Sequence, residues 1–231
     1  MQQISRARRG ASICCKNRQT NNVNKTSCRF LLSVADPSGL PEGDWPRIAI
    51  TGRSNVGKSS LLNCLVGEAA ARTSRTPGRT QLVNCFLAGE QWLLLDLPGY
   101  GYARAPEATR KAWGRLAEGA ILAGGGVDLA LVLLDARHDP SDLDRMMMEW
   151  LSAEGIRWIP VATKWDKLSM AERSAALQWL RTMTAERGCG AFVATSASTG
   201  FGIPELWKEI HAADGQRHSD HPGARGDRAG A

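Results

Sequence analysis

Gly52-Arg53-Ser54-Asn55-Val56-Gly57-Lys58-Ser59 is the stretch that decides how this chain folds. It follows a short apolar run, Ile48-Ala49-Ile50, and opens into Leu61-Leu62-Asn63-Cys64-Leu65, where the apolar spacing turns helical. Strand, glycine loop and helix form the context that the spacing G-x4-G-K-S needs to act as a phosphate-binding loop. The glycines let the backbone approach a phosphate with no Cβ in between. Successive N–H groups then make an anion nest, and the helix adds its positive end. Lys58 is expected to reach the terminal phosphates as a point charge, and Ser59 to offer its hydroxyl to Mg²⁺.

The charge around this core is uneven. The chain carries 29 Lys/Arg and 23 Asp/Glu. Residues 1–35 hold seven of the basic residues (Arg6, Arg8, Arg9, Lys16, Arg18, Lys25 and Arg29) and no acid, so the remainder is close to neutral. A nucleic-acid contact by the body must therefore come from a local patch rather than a global positive field. Hydrophobic content of 43% is ordinary for a globular protein. The longest apolar segment, Leu129 to Leu134, is strand-sized, and no run is long enough for a membrane span. The six cysteines form no C-x-x-C pair, and no His sits at metal-ligand spacing. Free thiols in a reducing, cytoplasmic setting are the simplest account. Residues 1–28 lack hydrophobic periodicity and are expected to be a disordered basic extension; an organelle transit peptide shares that composition.

Downstream, strands and helices alternate. Phe30 to Val34 reads as an edge element. Gln81–Leu87 and Gln91–Leu95 flank Ala88-Gly89-Glu90 as a hairpin. Residues 107–123 are helical, with Trp113, Leu116 and Ala120 on one face. Leu129–Leu134 is a buried strand, and Ser141 with Asp144 makes a capping box that opens a helix to Leu151. Arg157–Thr163 is the next strand, and Ser169 with Glu172 caps a helix to about Ala185. Ala191–Ala194 is the last strand, and a helix with Pro204 first ends near Ala212. Trp150, Trp179, Trp207 and Met146-Met147-Met148 are expected to pack on the sheet. Residues 214–231 are expected to form a disordered tail. This alternation predicts an α/β sheet covered by helices on both faces, with ligands at the carboxyl ends of strands.

Every chemically suggestive segment lies just after a predicted strand. Asp96-Leu97-Pro98-Gly99 would reach Mg²⁺ through a water held by Asp96 and present the Gly99 N–H to a terminal phosphate. Thr163-Lys164-Trp165-Asp166 would read a base. A carboxylate at Asp166 accepts from both N1–H and the 2-amino group of guanine, and adenine offers neither donor. The Lys164 stem would lie along the base plane, with Trp165 at its border. At the strand end Thr195-Ser196-Ala197, Ser196-Ala197 would support the base through a backbone N–H. Between these loops, residues 71–80 carry Arg72, Arg75 and Arg79 with no acid and should form a mobile loop.

These residues resemble the guanine-nucleotide set of translation-factor-like GTPases. The strings GRSNVGKSSLLN, RTSRTPGRTQLVNCF, LLLDLPGYGYA, LLDARHDPSDLD and TKWDKL are similar to the EngB (YihA/YsxC) family of bacterial GTPases over Phe30 to Ile210. The resemblance implies a P-loop GTPase (G domain) over residues 29–213, built on a six-stranded, mostly parallel sheet. It implies that Gly78, Arg79, Thr80, Gln81 and Leu82 form the first switch, with Ser59 and Thr80 as Mg²⁺ ligands and Lys58, Thr80 and Gly99 in the catalytic set. It implies GTP and GDP as ligands, a role in large ribosomal subunit assembly, an effect on division and septation, and a monomer. Tyr100 stands where Ras-like enzymes keep a water-orienting glutamine, which predicts slow hydrolysis unless a partner completes the site. The loop arginines and Arg104 could face rRNA phosphates. Asn55 occupies the place of a K⁺ ligand in potassium-dependent GTPases. Rival readings are a P-loop kinase or ATPase, a GTP-dependent RNA- or ribosome-binding module that does not turn over, and a membrane-associated division factor.

Overall fold

The computed structural model describes residues 27–66, 82–101, 106–186 and 191–220. In chain order its elements are β1 (Cys28–Val34), β2 (Arg47–Gly52), α1 (Lys58–Val66), β3 (Val83–Ala88), β4 (Trp92–Asp96), α2 (Glu107–Leu122), β5 (Leu129–Asp135), α3 (Asp142–Ala153), β6 (Trp158–Thr163), α4 (Met170–Glu186), β7 (Val193–Ala194) and α5 (Ile203–Asp220). The strands form one sheet in the order β1-β3-β4-β2-β5-β6-β7. β2 pairs in parallel with β4 and β5, and the parallel run continues through β6 to β7. β3 is antiparallel to both of its neighbours.

Among the described residues the sheet has seven strands, one more than the family resemblance implied. The addition is β1. Its apolar side chains give it a reason to pair: Phe30 meets Phe86 edge to face at 5.5 Å, and Val34 is buried. By covering the outer edge of β3, β1 leaves every residue of that strand buried and removes an unpaired hydrogen-bonding edge.

Two apolar layers follow from the alternation of side chains along the strands. In β5, Leu129, Leu131 and Leu133 point into one layer, and Ala130, Val132 and Leu134 into the other. The first layer receives Leu61, Leu62 and Leu65 of α1 and Ile203, Leu206 and Ile210 of α5. The second receives Leu116, Ala120 and Ile121 of α2, Met148 and Leu151 of α3, and Leu180 and Met183 of α4. A strand buried on both faces reads as a continuous apolar run, as Leu129–Leu134 does.

Trp207 is buried beside Trp92, at 5.5 Å, and Trp150 and Trp179 pack half-buried on the opposite layer. Of the methionine triplet, only Met148 is fully buried, because one helix face meets the sheet and Met146 falls outside it. Both capping boxes form: Ser141 with Asp144, and Ser169 with Glu172. The final helix starts at Ile203, with Pro204 second, and runs to Asp220 instead of ending near Ala212. No proline interrupts the chain between Pro204 and Pro222, so nothing forces an earlier stop.

Candidate functional site

The carboxyl ends of β2, β4, β6 and β7 lie along one rim of the sheet, and the expected loops meet there. At Gly52 a Cβ would come within 2.9 Å of the Leu133 carbonyl oxygen and 3.0 Å of Val56 Cγ1, so a larger residue has no room. Gly57 turns the chain at φ 109° to aim the start of α1 back over the loop. The first turn of α1 carries no acidic side chain, so its positive end stays open to an anion.

The base-reading segment is fastened to this loop. Thr163 Oγ1 donates its one hydrogen to the Val56 carbonyl at 2.6 Å, with the Leu134 carbonyl as a longer alternative acceptor at 3.1 Å. Lys164 adopts a left-handed backbone (φ 59°), and its ammonium donates to the Asn55 carbonyl at 2.7 Å and to Asp135 Oδ2 at 2.8 Å. Burial alone would push the Asp135 carboxyl up, but hydrogen bonds from Arg137 and Lys164 outweigh it and hold the group well below the usual carboxylate range. Asp166 accepts from the Ser196 hydroxyl at 2.7 Å, and that bond is the main reason its pKa falls to about 2. A carboxylate so held stays ionised and ready to accept two donors. Trp165 turns inward and is buried in the apolar layer under the loop rather than standing open at the rim.

Thr195 is tied to β6 by its N–H, which donates to the Ala162 carbonyl at 2.7 Å, and its own carbonyl accepts from the Trp165 N–H. Ser196 departs from its expected part. Its backbone N–H is taken by the Phe201 carbonyl at 3.0 Å, so the residue contributes through its hydroxyl. Ala197 follows it in the same turn.

Asp96 sits buried at the end of β4. One carboxylate oxygen accepts from the Lys58 ammonium and the other from Asn84 Nδ2, at 3.1 Å. Leu97 is fully buried, and its N–H donates to the Ile50 carbonyl. Pro98 is buried, and Gly99 then passes against the phosphate loop, where an added Cβ would stand 3.4 Å from both the Gly52 oxygen and the Ser54 nitrogen. Tyr100 completes the fastening. Its carbonyl accepts from the Ser54 N–H at 2.8 Å, its N–H donates to the Gly52 carbonyl, and its hydroxyl donates to Asp144 Oδ1 at 2.8 Å. Burial and the neighbouring Asp144 push the Tyr100 hydroxyl far above its ordinary pKa.

Asn84, the hydrogen bond between Tyr100 and Asp144, and the part played by the Ser196 hydroxyl are what motif reading missed. Asn84 alone left a local signal, a polar residue inside the apolar run Val83–Ala88; a buried amide needs a partner. Of the first switch, Leu82 is half-buried just before β3, and Gly78, Arg79, Thr80 and Gln81 lie outside the described residues, as do Arg72, Arg75 and Arg104. Ser59 is exposed at the start of α1. Its hydroxyl and the Asp96 carboxylate are hard oxygen donors of the type that suits Mg²⁺. Among the described residues no three His, Cys, Asp or Glu gather into a metal-binding group. Beside the phosphate loop, a cavity of about 220 Å³ opens between Arg53–Val56, Lys164 and the 137–140 loop.

The sheet order and this meeting of loops define a P-loop GTPase. Comparison with known proteins narrows the class. The sequence profile of the 50S ribosome-binding GTPases matches residues 47–164, from the start of β2 to Lys164. A probable GTP-binding protein EngB from Halothermothrix orenii is 42% identical over 184 residues, which are 79% of this chain and 92% of that protein. Another, from Geobacter sulfurreducens, is 40% identical over 199 residues, 85% of this chain and 96% of that one. A crystal structure of a probable GTP-binding protein engB superposes with a TM-score of 0.59 over 72% of this chain and 97% of its own, at 21% identity, a likeness of fold. The chain belongs to the EngB family of GTP-binding proteins.

Proposed function

We propose that this protein is a magnesium-dependent GTP switch acting in assembly of the large ribosomal subunit in the cytoplasm, and that cells need it for normal division and septation. The observation that carries the nucleotide part is the Lys164 bridge: one side chain joins the phosphate loop at Asn55 to the strand end at Asp135, beside a carboxylate held by Ser196. The ribosomal part is supported by the description of the matching family as 50S ribosome-binding GTPases.

In this reading the amides of Gly52 to Ser59 cradle the phosphates, and Lys58 exchanges Asp96 for the phosphate oxygens. Asp166 accepts from the guanine N1–H and 2-amino group, and adenine leaves that charge unpaired. Ser59 and Thr80 would hold Mg²⁺, with Asp96 acting through a water. When bound, the ion neutralises charge that develops on the phosphate oxygens. Gly78 to Leu82 and Gly99 would close over the terminal phosphate and release once it is lost. Tyr100 brings no carboxamide, and its hydroxyl is committed to Asp144, so hydrolysis is slow until a ribosomal partner completes the site. Arg72, Arg75, Arg79 and Arg104 would face rRNA phosphates. Asn55, exposed at φ 66°, would take a K⁺ ion, and faster turnover in KCl than in NaCl is expected.

Sedimentation with large ribosomal subunits under GDP and under a non-hydrolysable GTP analogue tests the switch, with co-sedimentation expected only for the analogue. Binding that ignores the nucleotide sinks it. Comparable affinities for GDP and ADP would favour an ATP-using enzyme. Turnover that subunits do not accelerate would favour a passive GTP-dependent binding module, the reading that Tyr100 makes its nearest rival.

A further inference from the structure

A row of side chains crosses three strands and ends on the carboxylate beside the phosphate loop. Ser33 of β1 lies opposite Asn84 of β3, and Asn84 lies opposite Asp96 of β4. Residues directly opposite in antiparallel strands share a face and stand close enough to touch. The Ser33 hydroxyl donates to Asn84 Oδ1 at 2.6 Å, and Asn84 Nδ2 donates to Asp96 Oδ2 at 3.1 Å. The other Asp96 oxygen faces Lys58.

This row exists because β1 is irregular. Cys28, Arg29 and Phe30 pair with Ala88, Leu87 and Phe86, but after a shift between Phe30 and Leu32 the pairing becomes Leu32 with Cys85 and Ser33 with Asn84. Without that register shift, Leu32 would stand opposite Asn84 and present an apolar side chain to its amide oxygen. Such bulges re-aim side chains beside functional sites. The hydroxyl also settles the direction of the amide. With Oδ1 committed to Ser33, the NH₂ end must face Asp96, where a flipped amide would set an oxygen against a carboxylate.

We propose that Asn84 is a positioning residue for Asp96, that it orients the carboxylate toward the Mg²⁺ side of the phosphate loop, and that Ser33 on the bulged edge strand holds Asn84 in the working direction. Asn84 is 4% exposed and Asp96 2%, so water cannot readily replace the bond between them. Partners that orient direct metal ligands typically set metal affinity by a factor of about 10–100; Asp96 acts through a water, so the effect of Asn84 is expected at or below the low end of that range. This inference rests on the magnesium reading above.

The test is the release rate of fluorescent GDP from the full chain, followed from EDTA to about 10 mM free Mg²⁺. In the wild type, Mg²⁺ slows release with a defined midpoint. Asn84→Ala is expected to raise that midpoint by about three- to tenfold and to leave the rate in EDTA nearly unchanged; a purely structural role would move both together. Asn84→Asp, which sets a second acceptor against Asp96, should raise it further. Ser33 is exposed, so Ser33→Ala folds even if the Asn84 variants do not, and letting the amide flip should raise the midpoint by about two- to threefold. Wild-type release that ignores Mg²⁺ sinks the magnesium reading and this inference with it. Wild-type dependence with midpoints unmoved in the variants overturns the positioning role alone.

Discussion

Tyr100→Phe removes one oxygen and keeps the ring, and it separates a structural tyrosine from a chemical one. That oxygen donates to Asp144 Oδ1, and Asp144 is buried. Its other oxygen keeps the Ser141 N–H at 2.8 Å and the Ser141 hydroxyl at 2.6 Å, so the cap of α3 survives the substitution. A hydrogen bond to a charged group contributes about 1.5–3 kcal/mol, and we place the loss near 2 kcal/mol. For a chain of this size that lowers Tm by about 4–8 °C. Thermal melting of the nucleotide-free protein and GTP turnover on the same preparation are the assays. Turnover without a partner should stay within about threefold, because the hydroxyl is spent on α3. The pH dependence has a definite sign. In the unfolded chain Tyr100 ionises around its ordinary value of 10.0, whereas burial keeps the folded group neutral beyond it. This contribution is therefore complete below pH 10 and is lost as pH rises beyond it, so the wild-type and Phe curves converge in alkali. A tenfold loss of turnover with unchanged melting would refute the reasoning and put the hydroxyl to work on water or phosphate.

Asp166→Asn should lower GTP affinity by at least about 100-fold, since two charge-assisted acceptors are lost, and should raise affinity for xanthine nucleotides, which competition binding will measure. Ser196→Ala removes the main hydrogen bond that keeps the Asp166 pKa at about 2. Titration with fluorescent GDP should show about tenfold weaker binding at neutral pH. Because the Asp166 pKa is depressed on folding, its contribution is present above the ordinary value of 3.8 and is lost as pH falls toward 2, and the variant, which keeps the weaker bonds from Ser198 and Lys167, should show a smaller acid limb. Cys85 is fully buried, and burial pushes its thiol up to about 12. Wild-type stability should therefore fall by about 1.4 kcal/mol per pH unit between pH 9 and 12 from this group, and denaturant titrations of Cys85→Ala should give a flatter line.

What could be read from sequence, and what could not, divides along a physical line. The phosphate loop, the turn after β4 and the Thr163–Asp166 turn are contiguous strings, and each brings its own backbone requirements. Gly57 needs its positive φ wherever the rest of the chain goes. Their convergence follows from strand order in a parallel sheet, so it too was within reach. The side chains that steer the loops are different, because each depends on a register between distant strands or helices. Ser33 and Asn84 are 51 residues apart, and Tyr100 and Asp144 are 44 apart. A slip of one residue in β1 would exchange a hydroxyl for Leu32 and leave no trace in composition or periodicity. The seventh strand was missed in count for a related reason: Phe30 to Val34 is short, and only the apolar edge of β3, assembled from elsewhere in the chain, gives it a partner. In this fold, local strings set which groups can meet the nucleotide, and pairing across the sheet sets the direction in which those groups point.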